Sequence, residues 1–170
     1  MNEAEWLLCP DSAPMLDYLR GKTSDRELRL FAAACCRAVW PMLTDSRSRA
    51  AVEAAERFCK GSASKVDWAA VRETARSAIP SSSGAFRPAE QAAAAAAVAV
   101  LDPDAERAAR LACGWARNVK LALAYEAGPH DLQAVRADVF ARWAEESATL
   151  VRNIFGKTLP SGVQERPVVS

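Results

Sequence analysis

The sequence predicts an all-α protein: a compact bundle or layered array of about seven to eight helices, followed by an extended C-terminal tail. Three observations predict it. Apolar residues recur at helical spacing through most of the chain, cap residues, prolines and glycines mark nearly every boundary, and no stretch outside the tail alternates apolar and polar residues as a half-buried strand does. Alanine supplies much of the 51% apolar fraction. It is the best helix former but fills little volume, so the core leans on a few large side chains, and helix axes can approach closely.

The first helix spans Asn2 to Cys9, with Asn2 and Glu5 in capping-box spacing and Pro10 as its stop. Ser12 and Pro14 open a second, which Gly21 ends. Ser24 and Glu27 form a full capping box for a third, whose face is Leu28, Phe31, Ala32, Cys35 and Val39 and which Pro41 stops or kinks. Asp45 or Ser46 caps a fourth, with Ala51, Val52, Ala55, Phe58 and Cys59 as its face and Gly61 as its close. Ser64 and Asp67 open a fifth through Trp68, Val71, Ala75 and Ile79.

Residues 80–88 read as a mobile loop inside one domain, since either side alone has a thin core. Pro88 begins an alanine-rich sixth helix to Leu101. Asp102 and Pro103 read as N-cap and first-turn proline of a seventh, which runs past Leu111, Trp115, Val119 and Leu123 to Gly128. An eighth runs from about His130 to Phe155 and ends at Gly156. Residues 1–156 therefore form a single helical domain, and 157–170 an extended or disordered tail.

The N-terminal third carries Glu5-Trp6-Leu7, Pro14-Met15-Leu16, Leu28-Arg29-Leu30-Phe31-Ala32, Ala34-Cys35-Cys36-Arg37 and Ser48-Arg49, and Leu150 to Gly156 reads Leu-Val-Arg-Asn-Ile-Phe-Gly. This pattern resembles a large uncharacterised paralogous family of planctomycete bacteria, over about the first 60 residues and the closing motif, with an alanine-rich middle of variable length between. Many members continue into an Asn-Pro-Phe-Arg-Pro-like segment, from which Lys157-Thr158-Leu159-Pro160 departs. The resemblance supports the helical fold and implies no site residue.

Composition excludes several function classes. Lys plus Arg total 22 against 21 Asp plus Glu, so the net field carries no signature of a nucleic-acid or anionic-membrane binder. The five cysteines are odd in number and lack Cys-x-x-Cys spacing, so neither a disulfide framework nor a zinc site follows. The longest apolar run, Ala92 to Leu101, is too short for a membrane span, and the reading is a cytoplasmic chain with reduced thiols.

No residue is singled out as catalytic, cofactor-binding or metal-ligating. His130, the single histidine, lacks partners at metal or triad spacing and reads as a solvated turn residue. Gly156-Lys157-Thr158 has no glycine-rich loop before it and is not a P-loop. Cys35 and Cys36 are weighed as a redox or metal-sensing pair against small core fillers, and the fillers are preferred. The five tryptophans read as core anchors, with room for one at a partner surface.

Arg26, Arg29, Arg37, Arg47 and Arg49 are the candidate contacts to a partner or anion, against a structural network with neighbouring carboxylates. The function expected is a non-enzymatic helical adaptor or scaffold module that binds another protein, through an apolar groove among the helices and the tail. The alternative is nucleic-acid binding by a helix-turn-helix-like pair around residues 13–40, with Arg26 and Arg29 at the start of its second helix. An enzyme of unknown type comes third.

Overall fold

The computed structural model describes residues 1–61, 67–79, 88–128 and 131–156. They form eight α-helices: α1 (Glu3–Leu8), α2 (Ser12–Leu19), α3 (Asp25–Arg37), α4 (Ser46–Cys59), α5 (Trp68–Arg76), α6 (Pro88–Ala99), α7 (Ala105–Glu126) and α8 (Leu132–Phe155). A 3-10 turn at Trp40–Met42, carrying Pro41, separates α3 from α4. No strand occurs among the described residues. Ser64, His130, residues 80–87 of the predicted loop and the whole predicted tail lie outside them.

Side-chain oxygens start the helices. Asn2 and Glu5 make the expected capping box on α1, and Ser24 and Glu27 the one on α3. Asp11, Asp45, Asp67 and Asp131 accept from first-turn amides of α2, α4, α5 and α8. Each such cap is worth about 1 kcal/mol. Two assignments move. Ser12 is the first residue of α2 rather than its cap, and its side chain is buried. The cap of α7 is Asp104, whose carboxylate accepts from the Arg107 amide at 3.0 Å, so Asp102 is released for another task.

At the centre, α3 packs on α4, α6, α7 and α8, and α7 lies in turn on α3, α6 and α8. One core links all eight helices, from Trp6 of α1 through Phe31, Val52, Ala75 and Val100 to Val151 of α8. The seventh helix departs from expectation. Its buried face consists of Ala105, Ala108, Ala109, Ala112, Ala116 and Val119, whereas Leu111, Leu123 and Trp115, the last expected as a core anchor, are exposed. The reason is steric. Facing α6, which buries seven alanines of its own, only methyl side chains let the backbones approach closely, so the bulky residues turn outward.

Two polar arrangements hold this assembly. Arg29, only 7% exposed, reaches from α3 into the turn between α6 and α7, where it donates to the carbonyls of Asp102 at 2.7 Å, Pro103 at 2.8 Å and Val100 at 3.4 Å. These groups follow the last turn of α6, where carbonyls lack helical partners and a cation complements the dipole. Beside it the buried Asp102 carboxylate pairs with Arg107 at 2.9 Å and Arg72 at 3.3 Å and accepts from the Asp104 amide at 3.0 Å. Burial raises the Asp102 carboxyl, but these bonds and charges together outweigh burial and leave its pKa lowered.

The second arrangement joins the ends of the described chain. The Trp6 indole N–H donates to the Gly156 carbonyl at 3.2 Å, and Arg152 donates to the carbonyls of Cys9 at 2.9 Å and Trp6 at 3.4 Å. Residues of the closing motif thus contact Trp6 of the opening one.

Replacing Arg29 leaves three buried carbonyls without their charged donor. Arg29→Met is expected to lose about 2–4 kcal/mol, read as a lower denaturant midpoint. Arg29→Lys should recover only a minor part, because an ammonium cannot reproduce the planar fork.

Candidate functional site

The five arginines do not converge. Arg26 is exposed at the start of α3, while Arg29 is enclosed at the α6–α7 turn. Arg37 makes a bidentate pair with Glu56 at 2.8 and 2.7 Å, with its guanidinium 3.8 Å from the centre of the Trp40 ring. Arg47 folds back on its own cap Asp45, at 3.0 and 2.7 Å, and reaches the Ser77 hydroxyl at 2.9 Å. Arg49 donates to the Leu43 carbonyl at 2.6 Å and lies 5.5 Å from Trp40. Four of the five therefore have partners within the fold: Arg37 and Arg47 pair with carboxylates, as in the network the sequence offered as the alternative to a contact site, whereas Arg29 and Arg49 serve backbone carbonyls.

The helix pair around residues 13–40 forms as α2 and α3, but α3 is largely enclosed. Only Asp25, Arg26 and Arg37 of it are exposed. A recognition helix needs an open face along its length to enter a groove.

Among the concavities the described helices create, two combine apolar walls with several polar side chains. The larger, about 720 Å³, is an open groove between α3, α4 and α8. Its floor is the small side chains of Ala33 and Ala38, and Leu30 with Ala34 on one side and Leu150 with Ile154 on the other wall it. Leu30 and Ala34 are one turn apart on α3, as are Leu150 and Ile154 on α8, so two aliphatic rows face each other across a shallow floor. Charged groups of both signs rim it: Arg37, Glu56, Lys60 and Glu146. The bidentate bond from Arg37 holds Glu56 below the usual carboxylate range; burial opposes this, and the charges of Arg37 and Lys60 add to it. Glu146 pairs outward with Lys120 at 2.9 Å.

The smaller, about 290 Å³, opens between α2, α7 and α8, with Ser12, Cys113, Gly114, Arg117, Trp143 and Ser147 among its lining. Cys113 forms part of its wall. The Ser12 hydroxyl lies 3.6 Å from the Cys113 sulfur, and Ser147 donates to the Ser12 oxygen at 2.8 Å. The Trp143 side chain is 3% exposed, yet its indole N–H has no hydrogen-bond partner. Cys35, on α3, is fully buried. The Cys35 thiol lowers the Cys113 pKa to about 6; burial opposes it, and the Ser12 and Ser147 hydroxyls reinforce it. Burial raises Cys35 well above the ordinary thiol value.

The sequence preferred core filling over a Cys35–Cys36 pair, and both side chains are fully buried. Cys36 faces elsewhere, and burial and the Glu56 charge push it up to about 12, with Arg37 opposing. One signal was available in the sequence. Gly114 sits mid-helix directly after Cys113, at a cost of about 1 kcal/mol relative to alanine, and a Cβ there would meet no atom within 4 Å because it points into open space. Ser12 and Ser147 carried no such mark. Among the described residues no three His, Cys, Asp or Glu side chains come together as a metal site, and no helix is long and apolar enough to cross a membrane.

No known protein family, curated protein or solved structure matches this chain. Its functional reading therefore rests on these two concavities.

The carboxyls of Asp102, Glu56, Asp45 and Glu27 all have lowered pKa values. Each binds its proton more weakly folded than unfolded, so its stabilisation is complete above the ordinary carboxylate range of about 4 and is lost as pH falls through the depressed folded values. Denaturant midpoints should stay level from about pH 7 to 5 and drop below about pH 4. Asp102→Asn should start lower at neutral pH and fall less steeply.

Proposed function

We propose that the chain is a helical protein-interaction module whose docking surface is the groove between α3, α4 and α8, and whose partner presents an amphipathic helix. The observation that carries this reading is the pair of parallel aliphatic rows, Leu30 with Ala34 and Leu150 with Ile154, over an alanine floor. A helix laid between them would insert large apolar side chains at successive turns, the geometry of helix-in-groove recognition.

The rim gives the partner's polar pattern. Arg37 is already matched by Glu56, whereas Lys60 has no carboxylate in salt-bridge range among the described residues. An acidic residue flanking the partner's apolar face complements Lys60, whereas Glu146 is already matched by Lys120. Burial of a few aliphatic side chains supplies the attraction, at about 1.5–3 kcal/mol for each one fully buried, and the rim charges set orientation more than affinity.

Binding through α2 and α3 to nucleic acid has less support, since α3 is largely enclosed and two of its three arginines, Arg29 and Arg37, are engaged within the fold.

The test uses the full chain against a displayed library of amphipathic helical peptides with fixed apolar spacing and varied flanks. Selected peptides should carry an acidic flank and bind at least about tenfold more weakly to an Ala34→Arg chain whose helical circular dichroism is unchanged. Equal binding to Ala34→Arg, or failure to select any peptide, refutes the groove. Affinity for duplex DNA that falls steeply with salt points instead to the nucleic-acid alternative.

A further inference from the structure

The cavity between α2, α7 and α8 shares no lining residue with the groove, and its charges are left unbalanced by the fold. Arg110 and Arg117 are its cationic lining residues, and Asp11 is its acidic one. Asp11 is spent as the cap of α2, accepting from the Ala13 amide at 3.0 Å, and Arg110 is matched at 2.7 Å by Asp17, which is not part of the lining. Arg117 has no such counterpart. It is half-buried, its guanidinium lies 4.3 Å from the centre of the Phe140 ring, and it makes no hydrogen bond or ion pair among the described residues. The Arg136 guanidinium lies 5.3 Å from the same ring, also without a carboxylate in salt-bridge range among the described residues. Like charges gathered at one ring raise the local positive potential, and an anion lowers that energy.

A second observation is independent of charge. The Trp143 side chain, 3% exposed, forms part of the cavity wall, and its indole N–H has no acceptor. Neither has Arg117 Nε, which is equally shielded. Buried polar groups are almost always paired, and an unpaired one is costly. Both of these are donors, so what the site lacks is an acceptor.

The remaining lining is largely apolar, with Leu16, Phe140, Ala144 and the Trp143 ring among it. The volume of about 290 Å³ equals that of about ten water molecules in the liquid, enough for a small organic acid and too little for a nucleotide. Gly114 keeps it open, since a Cβ there would meet no atom within 4 Å. A leucine side chain at this position would take up space that a ligand needs.

We infer that the cavity is a binding site for a small carboxylate with an aromatic or aliphatic body. The carboxylate pairs with Arg117, whose fork of N–H groups matches two oxygens on one carbon, and the body packs against Leu16, Phe140 and Trp143. The apolar wall is what distinguishes this ligand from a bare anion: phosphate or acetate meets the charge and leaves the wall uncovered.

The test titrates the isotope-labelled full-length chain with phenylacetate and follows the indole N–H resonances by NMR, with Trp143 assigned from its loss in Trp143→Phe. Phenylacetate should move the Trp143 resonance downfield and bind with a dissociation constant below about 1 mM, while Trp6, whose N–H already donates to Gly156, should stay in place. Phenylacetamide and acetate should each bind at least about tenfold more weakly, because one lacks the charge and the other the body. Arg117→Met should weaken phenylacetate by about tenfold or more, to the level of the amide. Gly114→Leu should abolish the shift, and both variants should keep the native helical circular dichroism. Acetate or inorganic phosphate binding as tightly as phenylacetate reduces the cavity to a general anion site and overturns the inference. So does undiminished affinity for phenylacetate in Arg117→Met, or a Trp143 resonance that does not move by about 10 mM phenylacetate.

Discussion

The close approach of α3, α6 and α7 is the constraint from which the other features follow. Along that contact the side chains are mostly methyl groups, with Ala32 and Ala33 on α3, Ala92 to Ala97 on α6 and Ala105 to Ala116 on α7. An alanine interface gains little from each side chain, so it stabilises by bringing whole backbones within dispersion range. The larger apolar payload sits around it: Trp6, Met15, Leu19, Phe31 and Leu43 are all essentially inaccessible. Because α7 spends its central face on alanines, its larger and chemically active residues fall on the flanks. Cys113 and Arg117 face the cavity on one side, and Leu111, Trp115 and Tyr125 remain exposed on the other.

Arg29 and Asp102 solve the problem this close packing creates at the α6–α7 turn. Two adjacent helices joined by a short turn leave carbonyls at the end of one and amides at the start of the other, and here the turn is largely buried. Arg29 serves the carbonyls and Asp102 accepts from the Asp104 amide, while Arg72 and Arg107 balance the carboxylate. Its five donors form a fixed fork, which suits several carbonyls at once. The same residue was offered from the sequence as a contact to an external partner, and in the fold its partners are this chain's own backbone.

Boundaries were legible in the sequence because they are local. Asn2 with Glu5, Ser24 with Glu27, Pro41 and Gly61 act on backbone groups a few residues away, so their effect can be read without knowing the fold. The face of α7 was not legible, since periodicity alone cannot say whether large or small residues point inward; that depends on how near α6 comes. Asp102 looked like a cap because Asp-Pro usually opens a helix, yet Asp104 caps instead and Asp102 is taken by three partners brought in by the fold. The cavity shows the limit most clearly. Ser12, Cys113 and Ser147 come from three helices, with Ser12 and Ser147 separated by 135 positions, and no spacing rule joins them. The groove, by contrast, was expected in kind, because alanine-rich helices leave shallow troughs between rows of longer side chains, but which helices would wall it was not.

The clasp between Trp6, Arg152 and Gly156 also bears on how such a unit can be carried by a polypeptide. A chain that enters at α1 and leaves after α8 does so at adjacent points, 150 residues apart in sequence yet within one hydrogen bond. A domain with neighbouring ends is separable topologically from whatever flanks it. It can be spliced into a surface loop of another protein without parting the loop's two sides, or be joined end to end and reopened elsewhere. The helical unit is in that sense a cassette, with its entry and exit stitched together by an indole and a guanidinium.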